Sequence, residues 1–288
     1  MRGSSEVQLV SASRVSFGQR VAIMNAAYAD YYVPMRVTPE QIAQLDRCHD
    51  VDVSRSVVAR ARWESVGMGM LALRGQRAWI SGVGVMPAWR RRGVAQAMMR
   101  YLIEKAREAG VDRVSLEVID QNQPAQNLYI DLGFCIQREL LTWRRSATAE
   151  PLPIPLERLT PVAPEVLLGY ADGWRDQAPC WQRETGTLRK MADQLKGYRL
   201  DWRDEPTAYC VLNDREDTVT LVDIGLNPDA GLLMPGRLLL QALAALYVDR
   251  PVSIINVPAD DSLNRILAAL GFLVTVRQLE MVLDLTPT

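Results

Sequence analysis

The sequence predicts an α+β protein built twice: two tandem domains, each a mixed, mostly antiparallel sheet flanked by helices. Three observations carry this. Each half runs through short apolar strands separated by tight turns, then one long amphipathic helix and another apolar strand, which adds a β-α-β crossover to an antiparallel sheet. The plan also repeats in its letters. Val83-Gly84-Val85-Met86-Pro87 matches Ile224-Gly225-Leu226-Asn227-Pro228, while Ser115-Leu116 and Gly133-Phe134 match Ser253-Ile254 and Gly271-Phe272. The spacing is near 140 residues, far above the ~20–50 of solenoid repeats, so it marks duplicated domains. Finally, residues 149–165 contain five prolines and read as a linker. The expected domains are 1–147 and 148–288.

The elements follow in order. Residues 7–10 form a short strand, and helices are expected over 18–31 and 38–45. Thr38, Pro39 and Gln41 give the second helix a cap, a first-position proline and a capping-box partner. Strands are expected over 54–63, 65–75 and 77–85. A helix over 93–109 places Val94, Met98, Tyr101, Leu102 and Ala106 on one face and stops at Gly110. A strand at 114–120, a short helix at 124–131 and a strand over 134–145 complete the half. The second half repeats this with a strand at 154–159, helices near 165–170 and 185–196, strands at 198–202, 207–212 and 218–226, a helix over 236–247, a strand at 253–257, a helix over 261–270 and a final strand from 272.

Composition bounds the chemistry. A chain of 288 residues, 48% hydrophobic and 23% charged, can bury a full core. His49 is the lone histidine, and the four cysteines form no Cys-x-x-Cys pair. Imidazole-based zinc sites and Ser-His or Cys-His nucleophiles are thereby excluded, and no metal is expected. His49 reads as a surface loop residue. No apolar run nears the ~18 residues that cross a bilayer. The start, MRGSSEVQLV, lacks the long apolar stretch of a signal peptide, so a cytoplasmic protein with no membrane partner is expected.

Charge is uneven: residues 1–150 hold 20 Lys and Arg against 15 Asp and Glu, while 151–288 hold 13 against 19. A basic first half suits an anionic ligand. Nucleic acid is not expected, because the sequence pI is about 6.0, whereas nucleic-acid-binding domains usually exceed about 9.

The densest charge is Arg90-Arg91-Arg92-Gly93, directly before a helix. A helix N-terminus offers unpaired N–H groups and roughly half a positive charge. Gly93 lets a ligand approach the backbone, and Ala95 keeps the first turn uncrowded. That combination seats a phosphate or pyrophosphate; the alternative is an ordinary solvated arginine run. A Walker loop is excluded because Val94-Ala95 follows Gly93 instead of Lys-Ser/Thr. Gly82-Val83-Gly84 mimics a dinucleotide fingerprint but has Pro87 at the third glycine.

Arg90-x-x-Gly93-x-Ala95, after a strand ending Val-Gly-Val-x-Pro, resembles the acyl-CoA pyrophosphate loop of the GNAT superfamily of N-acetyltransferases. Asn122-x-x-Ala125-x-x-Leu128-Tyr129-x-x-x-Gly133-Phe134 resembles the same family's second fingerprint. The resemblance covers most of residues 5–145, and its topology also covers roughly 155–285. It implies that acetyl-CoA is the co-substrate, with its pyrophosphate on the backbone from Arg90 through Arg91, Arg92, Gly93, Val94 and Ala95 to Gln96. The pantetheine arm would pair with Val83, Gly84 and Val85, and Asn122 and Ala125 would hold its other side. Asn122 also suits the cap of the helix begun by Pro124.

Tyr129 stands where family members place the acid that protonates the leaving sulfur, a role a phenol of pKa about 10 can fill. It also suits a core aromatic. The strand over 78–85 lacks the carboxylate many members use as general base; Glu117 is the nearest substitute, with Tyr28, Asp30, Tyr31 and Tyr32 in the acceptor wall and a water relay as the other option. The implied acceptor is a small-molecule or peptide primary amine. A non-catalytic acyl-CoA-binding or regulatory role is the alternative.

The second copy keeps the plan and loses the motif. AGLLMPGRL replaces the arginine turn, Asp260 stands for Asn122 and Leu267 for Tyr129. It is expected to be degenerate and to wall one side of the acceptor groove, leaving a monomeric pseudo-dimer or a homodimer.

Overall fold

Two compact units divide the chain: residues 1–137 with 279–288, and residues 138–278. The computed structural model describes residues 7–33, 35–147, 159–202, 204–231 and 233–286. The proline-rich stretch at 148–158, and all but the last residue of the strand expected at 154–159, lie outside the described residues.

The first unit begins with β1 (Val7–Ser11), α1 (Phe17–Ala27) and α2 (Pro39–Cys48). Ser16 with Gln19, and Thr38 with Gln41, form reciprocal capping boxes at the two helices, the second read from the letters. Helix α1 ends four residues before the expected Tyr31: the Tyr28 N–H makes a last bond to Met24 O and the chain turns. Strands β2 (Val57–Ala61), β3 (Glu64–Arg74) and β4 (Arg77–Val85) follow. Then come α3 (Val94–Glu108), β5 (Arg113–Ile119) and α4 (Gln123–Asp131), and β6 (Cys135–Arg145) passes at residue 138 into the second unit. The sheet order is β1-β2-β3-β4-β5, completed by residues from 279 onward. The first three pairings are antiparallel and β4–β5 is parallel.

Both faces of this sheet are covered. Helix α3 buries Val94, Met98, Leu102 and Ala106 on one face, and α1 and α2 bury Ile23, Met24 and Ile42 on the other. His49 is no surface loop residue: it caps α2 at its C-terminus, half-buried, with its ring 5.4 Å from that of Trp79.

The second unit contains β7 (Leu159–Pro161), α5 (Pro164–Leu167), α6 (Ala171–Trp174), α7 (Thr185–Arg189), β8 (Lys196–Trp202), β9 (Glu205–Asp214), β10 (Val219–Leu226), α8 (Leu233–Leu246), β11 (Val252–Pro258) and α9 (Leu263–Ala269). Its strands run β6-β11-β10-β9-β8-β7, with β10–β11 the parallel pair. The helix expected to reach Lys196 stops at Arg189, because Lys196 and Gly197 pair with Leu212 and Val211 as the start of β8. Tertiary pairing overrides local propensity there. The repeat is otherwise faithful, down to a single 3₁₀ turn after β4 (Pro87–Trp89) and after β10 (Pro228–Ala230).

The final strand, β12 (Leu273–Asp284), explains why the division is not the expected 147/148. Asp284 accepts a hydrogen bond from Arg113 Nε at 2.8 Å. The Leu285 N–H donates to Asp112 O at 2.7 Å. Met281 is fully buried in the core of the first unit. A repeat in the letters cannot reveal that a strand is exchanged. Among the described residues no helix is long and apolar enough to cross a membrane.

Candidate active site

Strands β4 and β5 pair only at their beginnings, Arg77–Trp79 against Arg113–Ser115. Beyond that point they diverge, leaving an open wedge. A bulge at Ser81 shifts the register of β4 against β3, where Ile80 opposes Leu71 and Gly82 opposes Met70. Bulges re-aim the backbone beside functional sites. A cavity of about 510 Å³ fills this region. Val83, Gly84 and Val85 form one wall, and Asn122, Ala125 and Tyr129 the opposite one. Arg90, Arg91, Gly93, Val94, Ala95 and Gln96 line one end, and Tyr28, Asp30, Tyr31 and Tyr32 also line the cavity. Two widely separated motifs thus meet in one place.

The turn before α3 has positive φ at Arg91 (61°) and Gly93 (77°). Such turns gather successive N–H groups into an anion-binding concavity. Gly93 is the N-cap, and among the described residues no side chain caps this terminus. Ala97 is the first amide with a helical acceptor, Gly93 O at 3.0 Å. The first-turn amides at Val94, Ala95 and Gln96 therefore sit at the cavity without intrahelical partners.

The three arginines divide their work. Arg90 does not offer its guanidinium to the cavity as a free charge. It donates to Asp30 at 2.6 and 2.8 Å, to Ala27 O at 3.1 Å and to Val85 O at 3.0 Å. It ties the end of β4 to the end of α1, and its charge holds the Asp30 carboxyl below the usual carboxylate range. Arg92 lies over the Trp89 ring, 4.9 Å from its centroid, and is not among the cavity residues. Arg91 lines the cavity, and among the described residues its guanidinium makes no ion pair.

On the opposite wall, Asn122 Oδ1 accepts the Ala125 N–H at 3.3 Å and caps α4, as the letters allowed. The Tyr31 hydroxyl is hydrogen-bonded to the same side chain. Tyr129 is 9% exposed, and burial pushes its phenol well above the ordinary range. Tyr28 is pushed up for the same reason, with Tyr129 and Tyr31 adding to it.

Glu117 does not line the cavity. Its Oε2 accepts a hydrogen bond from Trp79 Nε1 at 2.7 Å, because parallel pairing sets the two residues on neighbouring strands. Ala27, Trp89, Pro124 and Leu128 also line the cavity, and sequence reasoning gave none of them a part in the site. The proline before the 3₁₀ turn was the signal for Trp89; the other three carry no distinctive chemistry.

The corresponding place in the second unit is closed. Strands β10 and β11 pair in parallel at their beginnings, but Arg183 spans the gap beyond. It donates to Val222 O on β10 at 3.1 Å, and to Ile255 O and Asn256 O on β11 at 3.4 and 3.3 Å. Arg175 grips both oxygens of fully buried Asp223 at 2.9 and 2.8 Å, and the Tyr209 hydroxyl donates to it at 2.8 Å. The space left is about 20 Å³, enough for one water. Exposed Leu233 and Met234, with Pro235 behind them, replace the arginine turn. Leu267 is buried in the core opposite Tyr129's position in the repeat.

Residues 21–134 match the model of the Acetyltransferase (GNAT) family. A 61-residue stretch is 36% identical to an uncharacterized N-acetyltransferase, YdgE, of Bacillus subtilis (strain 168), and it spans 39% of that protein. Two solved structures resemble nearly the whole chain. A GCN5-related N-acetyltransferase from Sphaerobacter thermophilus has a TM-score of 0.71 at 15% identity, covering 98% of this chain and 96% of its own. A tandem GNAT protein from the clavulanic acid biosynthesis pathway has a TM-score of 0.72 at 15% identity, covering 98% and 100%. At such identity the structures speak for the fold. Residues 21–134 therefore match the GNAT acetyltransferase family, and the fold of the whole chain is that of tandem GNAT proteins.

Proposed function

We propose that the protein is an acetyl-CoA-dependent N-acetyltransferase for a primary amine, working by direct attack in the amino-terminal unit. The observation that carries this reading is the single cavity onto which an uncapped helix terminus, a splayed strand edge and a buried phenol all open. The fit to the coenzyme is specific. First-turn amides and Arg91 would take the pyrophosphate. The edge of Val83–Val85, freed from β5, would pair with the amides of the pantetheine arm as an added strand would. Bland side chains on that edge cost nothing, since main-chain bonds do the holding.

In the transfer, the amine nitrogen bonds to the acetyl carbon and the carbon–sulfur bond breaks. Tyr129 gives its proton to the departing sulfur and regains one as the nitrogen sheds its own through water. A phenol raised by burial keeps its proton at neutral pH, which an acid requires. The lack of a free carboxylate favours solvent as the proton's outlet: Asp30 is held by Arg90 and Glu117 by Trp79.

That same lack is the best support for the second reading, an acyl-CoA-binding module without turnover. Calorimetric titration with acetyl-CoA, followed by thiol release against a panel of amines, separates the two. Tight binding with turnover that falls ~10²–10⁴-fold in Tyr129→Phe supports catalysis. Tight binding without turnover across the panel favours the module.

A further inference from the structure

Tyr28 ends α1, half-buried, and its ring lies flat on β4. A Cβ placed on Gly84 would stand 2.7 Å from Tyr28 Cε2 and 2.8 Å from Ala27 Cβ, and one on Gly82 would stand 3.0 Å from the Tyr28 hydroxyl oxygen. The ring therefore crosses the main chain from 82 to 84 at bare contact, which is why this strand reads Gly-Val-Gly. The Tyr31 ring meets the Tyr28 ring edge-on at 5.1 Å. Contacts with the strand and with Tyr31 fix this side chain while it lines the cavity beside Tyr129.

We propose that Tyr28 sets the size of the acyl group this protein accepts, its ring forming the floor against which an acetyl methyl rests. The inference depends on the acetyl-transfer reading for the placement of the thioester between Tyr129 and the Val83 edge. From there the next surface is the Tyr28 ring. It cannot retreat, because the strand backbone lies directly behind it with no side chain at 82 or 84 to yield. Packed interiors accommodate an added methylene poorly when no flexible neighbour can give. A rigid floor of this kind discriminates by roughly 10–200-fold per methylene.

Calorimetric titrations of the full chain with acetyl-, propionyl- and butyryl-CoA test this. The wild type is expected to bind acetyl-CoA best, with butyryl-CoA weaker by at least ~10-fold. Tyr28→Ala is expected to erase that gap, and Tyr28→Phe, which keeps the ring, to retain most of it. Should Tyr28→Ala melt at the assay temperature, Tyr28→Leu carries the same comparison, since it also removes the flat ring. Equal binding of all three coenzymes by the wild type, or a gap untouched by Tyr28→Ala or Tyr28→Leu, overturns the assignment of Tyr28 alone. A wild type that binds none of the three overturns the acetyl-transfer reading together with it.

Discussion

Four tyrosines, Tyr28, Tyr31, Tyr32 and Tyr129, line the cavity, and their environment decides which side of the pH scale matters. Burial raises the phenol of Tyr129, and nearby Tyr31 raises it further. An acid with a raised pKa keeps its proton to higher pH, so activity that needs the Tyr129 proton persists through the alkaline range. The rate of thiol release is therefore expected to show no falling limb from this residue below about pH 10; a limb that appears near pH 8 and vanishes in Tyr129→Phe would contradict the role. Glycine is equally demanding here. Gly84→Ala would drive a methyl group into Tyr28 and Ala27, and it is expected to cost about 1–3 kcal/mol in chemical denaturation. Tyr129, Asn122 and Gly93 were picked out by motif spacing, and all three line one cavity. The part played by Tyr28 was not legible, because a ring lying on a strand 55 residues away leaves no trace in local spacing.

Helix α3 and the turn before it show what an element adds to its residues. Its boundaries were readable from Gly93, the apolar face and Gly110, and the structure places it within a residue of them. Its electrostatics were only half readable. Three adjacent arginines suggested three cations for one anion, yet Arg90 is a tie between α1 and β4 and Arg92 lies on Trp89. Spacing gives no hint that Asp30, 60 residues earlier, closes this pair. The tie is half exposed, so solvent screens its charge, and its value lies in holding the turn beside the strand edge. Asp30→Asn is expected to weaken acetyl-CoA binding by roughly 2–5-fold. Arg90→Lys should fare no better, because an ammonium cannot span four acceptors on three elements. Arg92→Ala should bind as the wild type does. Calorimetric affinities for the three variants decide whether the side chains work as divided here.

Across the whole molecule, duplication was plain in the letters and exchange was not. The repeat matched strand to strand because both copies need the same hydrophobic pattern, and pattern says nothing of which copy a terminal strand joins. The second copy also shows how a site is lost without loss of fold. Arg183 fills the wedge with hydrogen bonds to both strands, keeping the parallel pair together where the first copy leaves room for a ligand. Met281→Ala is expected to destabilise the first unit by about 2–5 kcal/mol, since that side chain is fully buried there. Acetyl-CoA protection of the variant against thermal unfolding should match the wild type's, since Met281 does not line the cavity.

The placement of residues 279–286 has a consequence for how the protein is made. A ribosome adds roughly 5–20 residues each second, and amino-terminal domains ordinarily fold as soon as they emerge. Here the amino-terminal sheet ends at an unpaired β5 while some 140 further residues are translated, an interval on the order of ten seconds. During that time a bare strand edge faces solvent or any chaperone within reach. A message cut short after the first copy would yield no smaller version of this unit, only a nascent chain missing its last strand.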